Sequence, residues 1–101
     1  MAKTNIGAGM VSVGFQTLSL ANSTALGLNT TVAPGKVFCL SVETNNARFR
    51  ADGTNPALTT GVLLQKDQHY WIFDVPGSTL KFQRQTGTSK ISIQAWKYKG
   101  E

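Results

Sequence analysis

A chain of 101 residues makes one small domain, which buries somewhat over ~60% of its unfolded surface and gains from association. Its single cysteine, Cys39, excludes an internal disulfide framework, no apolar run approaches the ~20 residues that span a bilayer, and Met-Ala-Lys-Thr-Asn at the start is no hydrophobic leader, so folding in cytoplasm is expected. The formal charge of +5 comes from ten basic and five acidic residues spread without a basic tract, which gives no support for a polyanion-binding tail.

Residues 1–10, with Gly7, Ala8 and Gly9 and little to bury, read as a flexible N-terminal arm. Residues 11–101 read as the folded domain. The first strand spans residues 11–20, with Val13, Phe15, Leu18 and Leu20 as core candidates. Its alternation slips between Phe15 and Leu18, which predicts a bulge near Gln16-Thr17. Residues 21–23 form a turn, and residues 24–28 a second short strand with Leu26 and Leu28 in phase. Pro34-Gly35 then has the order of a type II turn, with positive φ at the glycine. Residues 36–43 place Phe38, Leu40 and Val42 on one face and Val37, Cys39 and Ser41 on the other. Both faces are largely apolar, so this strand is expected to lie inside its sheet.

Residues 46–61 are the most informative stretch. Ala47 and Phe49 alternate with Arg48 and Arg50, so the apolar pair and the guanidinium pair face opposite ways. Asp52-Gly53 breaks the strand, Pro56 removes a donor, and Gly61 precedes the short apolar strand Val62-Leu63-Leu64. After a polar turn at residues 65–68, residues 69–75 form a strand with Trp71 and Phe73 on one side and Tyr70 and Ile72 on the other. Pro76-Gly77 repeats the earlier turn chemistry. Leu80 and Phe82 alternate with Lys81 and Gln83 as in a half-buried strand, and residues 85–88 read as a hairpin connection. The last strand, residues 90–98, has Ile91, Ile93 and Ala95 in phase, which turns Trp96 and Tyr98 outward unless a bulge intervenes.

Short strands separated by Pro-Gly, Asp-Gly and Thr-Gly turns, with no sustained helical spacing, indicate an all-β antiparallel sandwich or jelly roll. Enzyme chemistry is not indicated. His69 is the only histidine and Cys39 the only cysteine, so no metal cluster of familiar spacing forms. There is no Gly-x-Ser-x-Gly elbow and no phosphate-binding glycine loop. No catalytic, cofactor-binding or metal-binding residue is expected.

The Arg-aromatic-Arg strand, the Asp-Gly-Thr-x-Pro turn and the glycine before a short apolar strand resemble small all-β virion proteins of tailed bacteriophages. Capsid cement, or decoration, proteins are the nearest likeness, and it extends loosely over residues 13–98. The resemblance implies a structural protein on the head surface, assembled in the host cytoplasm. Its partner would be the major capsid protein, whose subunits it would bridge. Arg48, Arg50, Asp52 and Pro56 are the capsid-interface candidates on this reading. Trp96 and Tyr98 are candidates for a self-interface in a dimer or trimer, since outward Trp and Tyr are preferred interface anchors. A tail or head–tail connector component is the runner-up. Outside the virion the alternatives are a carbohydrate-binding or a nucleic-acid-binding β module. The latter is disfavoured because Phe49 and Phe82 point away from the charges beside them.

Overall fold

The structure, a computed structural model, describes residues 9–21, 24–57, 60–85 and 87–99. Apart from Gly9 and Met10, the expected arm lies outside them. The described residues form eight strands: β1 Met10–Leu20, β2 Leu26–Gly27, β3 Val37–Thr44, β4 Ala47–Arg50, β5 Val62–Leu64, β6 His69–Phe73, β7 Lys81–Arg84 and β8 Ser89–Tyr98.

Their pairing follows a simple rule. β1 pairs with β8, β2 with β7, β3 with β6 and β4 with β5, all antiparallel, so the chain runs out and back as one long hairpin. The further pairs β3–β8 and β4–β7 roll that hairpin up into two sheets, ordered β1-β8-β3-β6 and β2-β7-β4-β5. This is an antiparallel β-sandwich with jelly-roll winding.

The core lies between the sheets. Leu18, Leu20, Phe38, Leu40, Val42, Ile91, Ile93 and Ala95 of the first sheet meet Ala47, Leu64, Leu80 and Phe82 of the second side, all of them buried. Full burial of Phe38 and Phe82 contributes roughly 1.5–3 kcal/mol each. β3 lies between β8 and β6, as its two apolar faces require.

Several local expectations are corrected. The irregularity in β1 falls between Ser12 and Gly14, not at Gln16-Thr17. The strand therefore changes phase earlier, and Phe15 is turned outward with 58% of its surface exposed. The second strand shrinks to Leu26–Gly27, with Leu28 packed on the core beyond it. β7 lies in the second sheet and β8 in the first, so residues 85–88 cross between sheets and do not close a hairpin. Thr86 in that connection lies outside the described residues. Nor does β7 have an open outer face, because Gln83 is only 6% exposed.

Neither Pro-Gly pair forms a type II turn. Gly35 and Gly77 are absent from the positive-φ glycines. They are glycines for want of space. A Cβ on Gly35 would sit 2.9 Å from the Ala95 Cβ and 3.2 Å from both the Phe38 ring and the Trp96 carbonyl oxygen. A Cβ on Gly77, in the 3-10 turn Gly77–Thr79, would fall 2.2 Å from the Ala33 carbonyl oxygen. The two Pro-Gly segments thus pack on one another, Ala33 against Gly77.

Candidate interaction surfaces

The two sheets turn different outer faces to solvent. On the second sheet, β4 sends Ala47 and Phe49 toward the core, where the Phe49 ring lies 6.1 Å from that of Phe82. Arg48 and Arg50 leave the opposite face and are half-buried. Arg50 grips Asp52 with two hydrogen bonds, its Nε donating to Oδ1 at 3.2 Å and its Nη2 to Oδ2. Asp52 Oδ1 also accepts the Thr54 N–H at 3.1 Å. The Arg50 guanidinium first, and the Thr54 N–H after it, hold the Asp52 carboxyl below the usual carboxylate range. Gly53 takes a φ of +80° at this turn and donates its N–H to the Thr79 carbonyl at 3.0 Å. Arg48 Nη1 donates to the Gly61 carbonyl at 3.0 Å. Pro56 is buried, and a Cβ on Gly61 would lie 3.1 Å from Pro56 Cβ and 3.5 Å from Arg48 Cβ.

Arg48, Arg50, Asp52 and Pro56 are therefore brought together, as one unit. The two arginines fasten the excursion between β4 and β5, Arg48 at its far end and Arg50 at its near end. Pro56 presents its ring to the chain's own interior. Asp52 and the residues around it, 51–55, are the exposed part of the unit.

The first sheet has a different outer face. Directly opposed residues of antiparallel strands share a face, so one row reads Phe73, Val37, Trp96, Ser12 across β6, β3, β8 and β1. The next reads Trp71, Cys39, Gln94, Phe15. Trp71 stacks on Trp96 at 5.5 Å between ring centroids and on Phe73 at 6.0 Å. Phe73 is 56% exposed and Trp71 40%. Cys39 is half-buried in the middle of this face, and burial raises its thiol pKa, away from the reactive thiolate.

Polar groups fringe the aromatics. The Gln94 amide donates to Ser12 Oγ and to the Gly14 carbonyl, each at 3.0 Å. The Ser92 hydroxyl donates to the Glu43 carboxylate. The Tyr98 hydroxyl donates to Asp74 Oδ1, tying the end of β8 to the end of β6.

Trp96 and Tyr98 do alternate with Ile91, Ile93 and Ala95 along β8, because the irregularity beside Ala95 and Trp96 places its extra residue, Val13, in β1 and not in β8. Phe15, Trp71 and Phe73 join Trp96 on this face without having been singled out from the sequence. The period of two already separated Trp71 and Phe73 from Tyr70 and Ile72, but both pairs are aromatic or aliphatic, and only the partner sheet decides which is buried. His69 is exposed at the start of β6, opposite Ser41. Among the described residues no three His, Cys, Asp or Glu side chains are grouped to hold a metal ion.

No family model, curated protein or solved structure matches the chain.

Proposed function

We propose that this protein is a non-catalytic structural component of a tailed-phage particle, a capsid cement protein that docks on the head surface. The observation that carries the reading is the uncovered aromatic face of the first sheet, with Trp71, Phe73 and Phe15 exposed on a small sandwich whose other sheet is strapped by its own loop. Contiguous exposed aromatics on a small soluble domain mark a surface that something covers. The jelly-roll winding supports the reading by analogy, since capsid domains use it. So does the resemblance carried by the segment from Arg48 to Gly61. The mechanism is passive. Apolar area buried across contacts between major capsid subunits resists the pressure of packaged DNA.

A carbohydrate-binding role is the second reading, favoured by one feature: the stacked indoles of Trp71 and Trp96 lie beside the Gln94 amide, a flat platform with a hydrogen-bonding edge. Jelly rolls also serve as lectins. Electron microscopy of particles assembled with and without the labelled protein decides between them. Label over the whole shell supports cement, label at one vertex or on the tail supports a connector or tail part, and no label together with retention on a glycan array replaces both with the lectin reading.

A further inference from the structure

We infer that β6 pairs antiparallel with β6 of a second copy of this chain, across a two-fold axis at Trp71, and so joins two first sheets into one of eight strands. The sandwich has four edge strands: β1 and β6 in one sheet, β2 and β5 in the other. Exposed edges invite pairing with another chain, and folded proteins blunt them by shortness, bulges, covering loops, Lys or Pro. Three of the four are blunted. β2 has two residues and β5 three. β1 is irregular between Ser12 and Gly14, where the Thr31 methyl packs against Gly14 on the inner face of the strand.

Among the described residues β6 has none of these devices. Its five residues, His69-Tyr70-Trp71-Ile72-Phe73, pair with β3 in unbroken register, and they include no Lys, Pro or Gly. Four of the five are of the aromatic and β-branched types that favour strands.

The hydrogen-bond pattern fixes which backbone groups are left over. Val42 donates its N–H to the Gln68 carbonyl at 3.0 Å, just before the strand. In an antiparallel ladder the groups then alternate, so Tyr70 and Ile72 bond toward β3 while the N–H and C=O of His69, Trp71 and Phe73 point to the open edge. A copy rotated about a two-fold axis through Trp71 presents the same groups. Trp71 then exchanges two hydrogen bonds with Trp71 of the second copy, and His69 and Phe73 exchange theirs with the other's Phe73 and His69. Tyr70 and Ile72 face each other across the seam and extend the core.

Charge permits this approach. The chain carries +5 overall, yet β6 holds no Lys, Arg, Asp or Glu. The flanking Asp74 falls opposite Gln68 of the other copy and Asp67 opposite Val75, so no like charges oppose each other. The pairing also merges two Trp71–Trp96 stacks into one continuous aromatic platform. It is a property of the free chain and stands or falls apart from the particle.

Sedimentation and oxidative cross-linking of purified protein test it, with four variants. The unaltered chain should sediment at twice the chain mass over the micromolar range. Trp71→Pro removes the edge N–H at the axis, where Pro is tolerated on an edge strand. Trp71→Lys sets two like charges directly opposite. Both should sediment as folded monomers. In a Cys39→Ser background, Trp71→Cys should form a covalent dimer on oxidation, because Cα atoms of a hydrogen-bonded pair lie about 5.5 Å apart, within disulfide reach; Ser19→Cys, on exposed β1, should not. An unaltered chain that stays monomeric overturns the pairing. So does a folded Trp71→Lys dimer, or a dimer that cross-links through position 19 and not 71. If Trp71→Pro and Trp71→Lys fail to fold, the Trp71→Cys cross-link decides.

Discussion

The indole of Trp71 stacks on that of Trp96 with ring centroids 5.5 Å apart and planes 21° from parallel, although β3 lies between the strands that carry them. On this face the intervening strand carries Val37 and Cys39, side chains short enough for two indoles to meet above them. Coupled indoles give a characteristic near-ultraviolet circular dichroism signal. Trp96→Ala should abolish it and lower stability by about 0.5–1.5 kcal/mol. An unchanged spectrum would show that the rings are not paired in solution.

Phe15 and Leu18 should respond in opposite ways to truncation. Phe15 is turned outward beyond the irregularity in β1, while Leu18 is buried. Phe15→Ser is expected to shift unfolding by no more than about 0.5 kcal/mol. Leu18→Ala should cost about 2–5 kcal/mol. Urea denaturation of the two variants checks the phase of the strand directly, and a Phe15 variant as unstable as the Leu18 one would place the bulge further along.

Gly77 tests the packing of the two Pro-Gly segments. In Gly77→Ala the new Cβ meets a backbone carbonyl, that of Ala33, which cannot move aside as a side-chain tip would. A loss of at least about 1–3 kcal/mol is expected, as for overpacked cores. Gly53→Ala is the comparison. Its Cβ meets open space, and only the φ of +80° opposes it, at about 1–2 kcal/mol.

The ion pair between Arg50 and Asp52 gives stability a defined pH dependence. The Asp52 carboxyl is held below its ordinary range by Arg50 and by the Thr54 N–H. A carboxyl with a lowered folded-state pKa contributes stability above its unfolded pKa, about 3.9, and loses it as pH falls through the folded value. Asp52→Asn should therefore melt below the unaltered chain at neutral pH, and the two melting temperatures should converge as pH falls below about 4. A carboxyl titration followed by NMR should place the Asp52 midpoint below that of a free aspartate, and Arg50→Ala should raise it. A midpoint unmoved by Arg50→Ala would remove the guanidinium as its cause.

Much of this architecture is legible in the chain. The period of two marks β3, β4, β7 and β8, because side chains of a strand alternate whatever surrounds it. In β8 it also names the buried face, since Ile91, Ile93 and Ala95 are apolar while Ser92 and Gln94 are not. In β6 it does not, because Trp71 and Phe73 are as apolar as Tyr70 and Ile72, and the aromatic face was missed for that reason. The phase of β1 depends on one irregularity, which falls where Thr31 packs against Gly14 and which no local turn sequence marks. Pro-Gly announces a bend, but whether the glycine serves conformation or space depends on what packs against it. Residues 85–88 announce a connection, but not the sheet in which the next strand will pair. The pairing of Arg50 with Asp52 lies two residues away and is near the reach of sequence reasoning, whereas the bond from Arg48 to Gly61 spans thirteen. Alternation and turn chemistry are set by neighbours along the chain, so an all-β sandwich and most of its strands follow from the order of residues alone. Which face is left outward, which strand lies at an edge and which charges are already paired are set by contacts between residues far apart in the chain, and they emerge only when the two sheets pack.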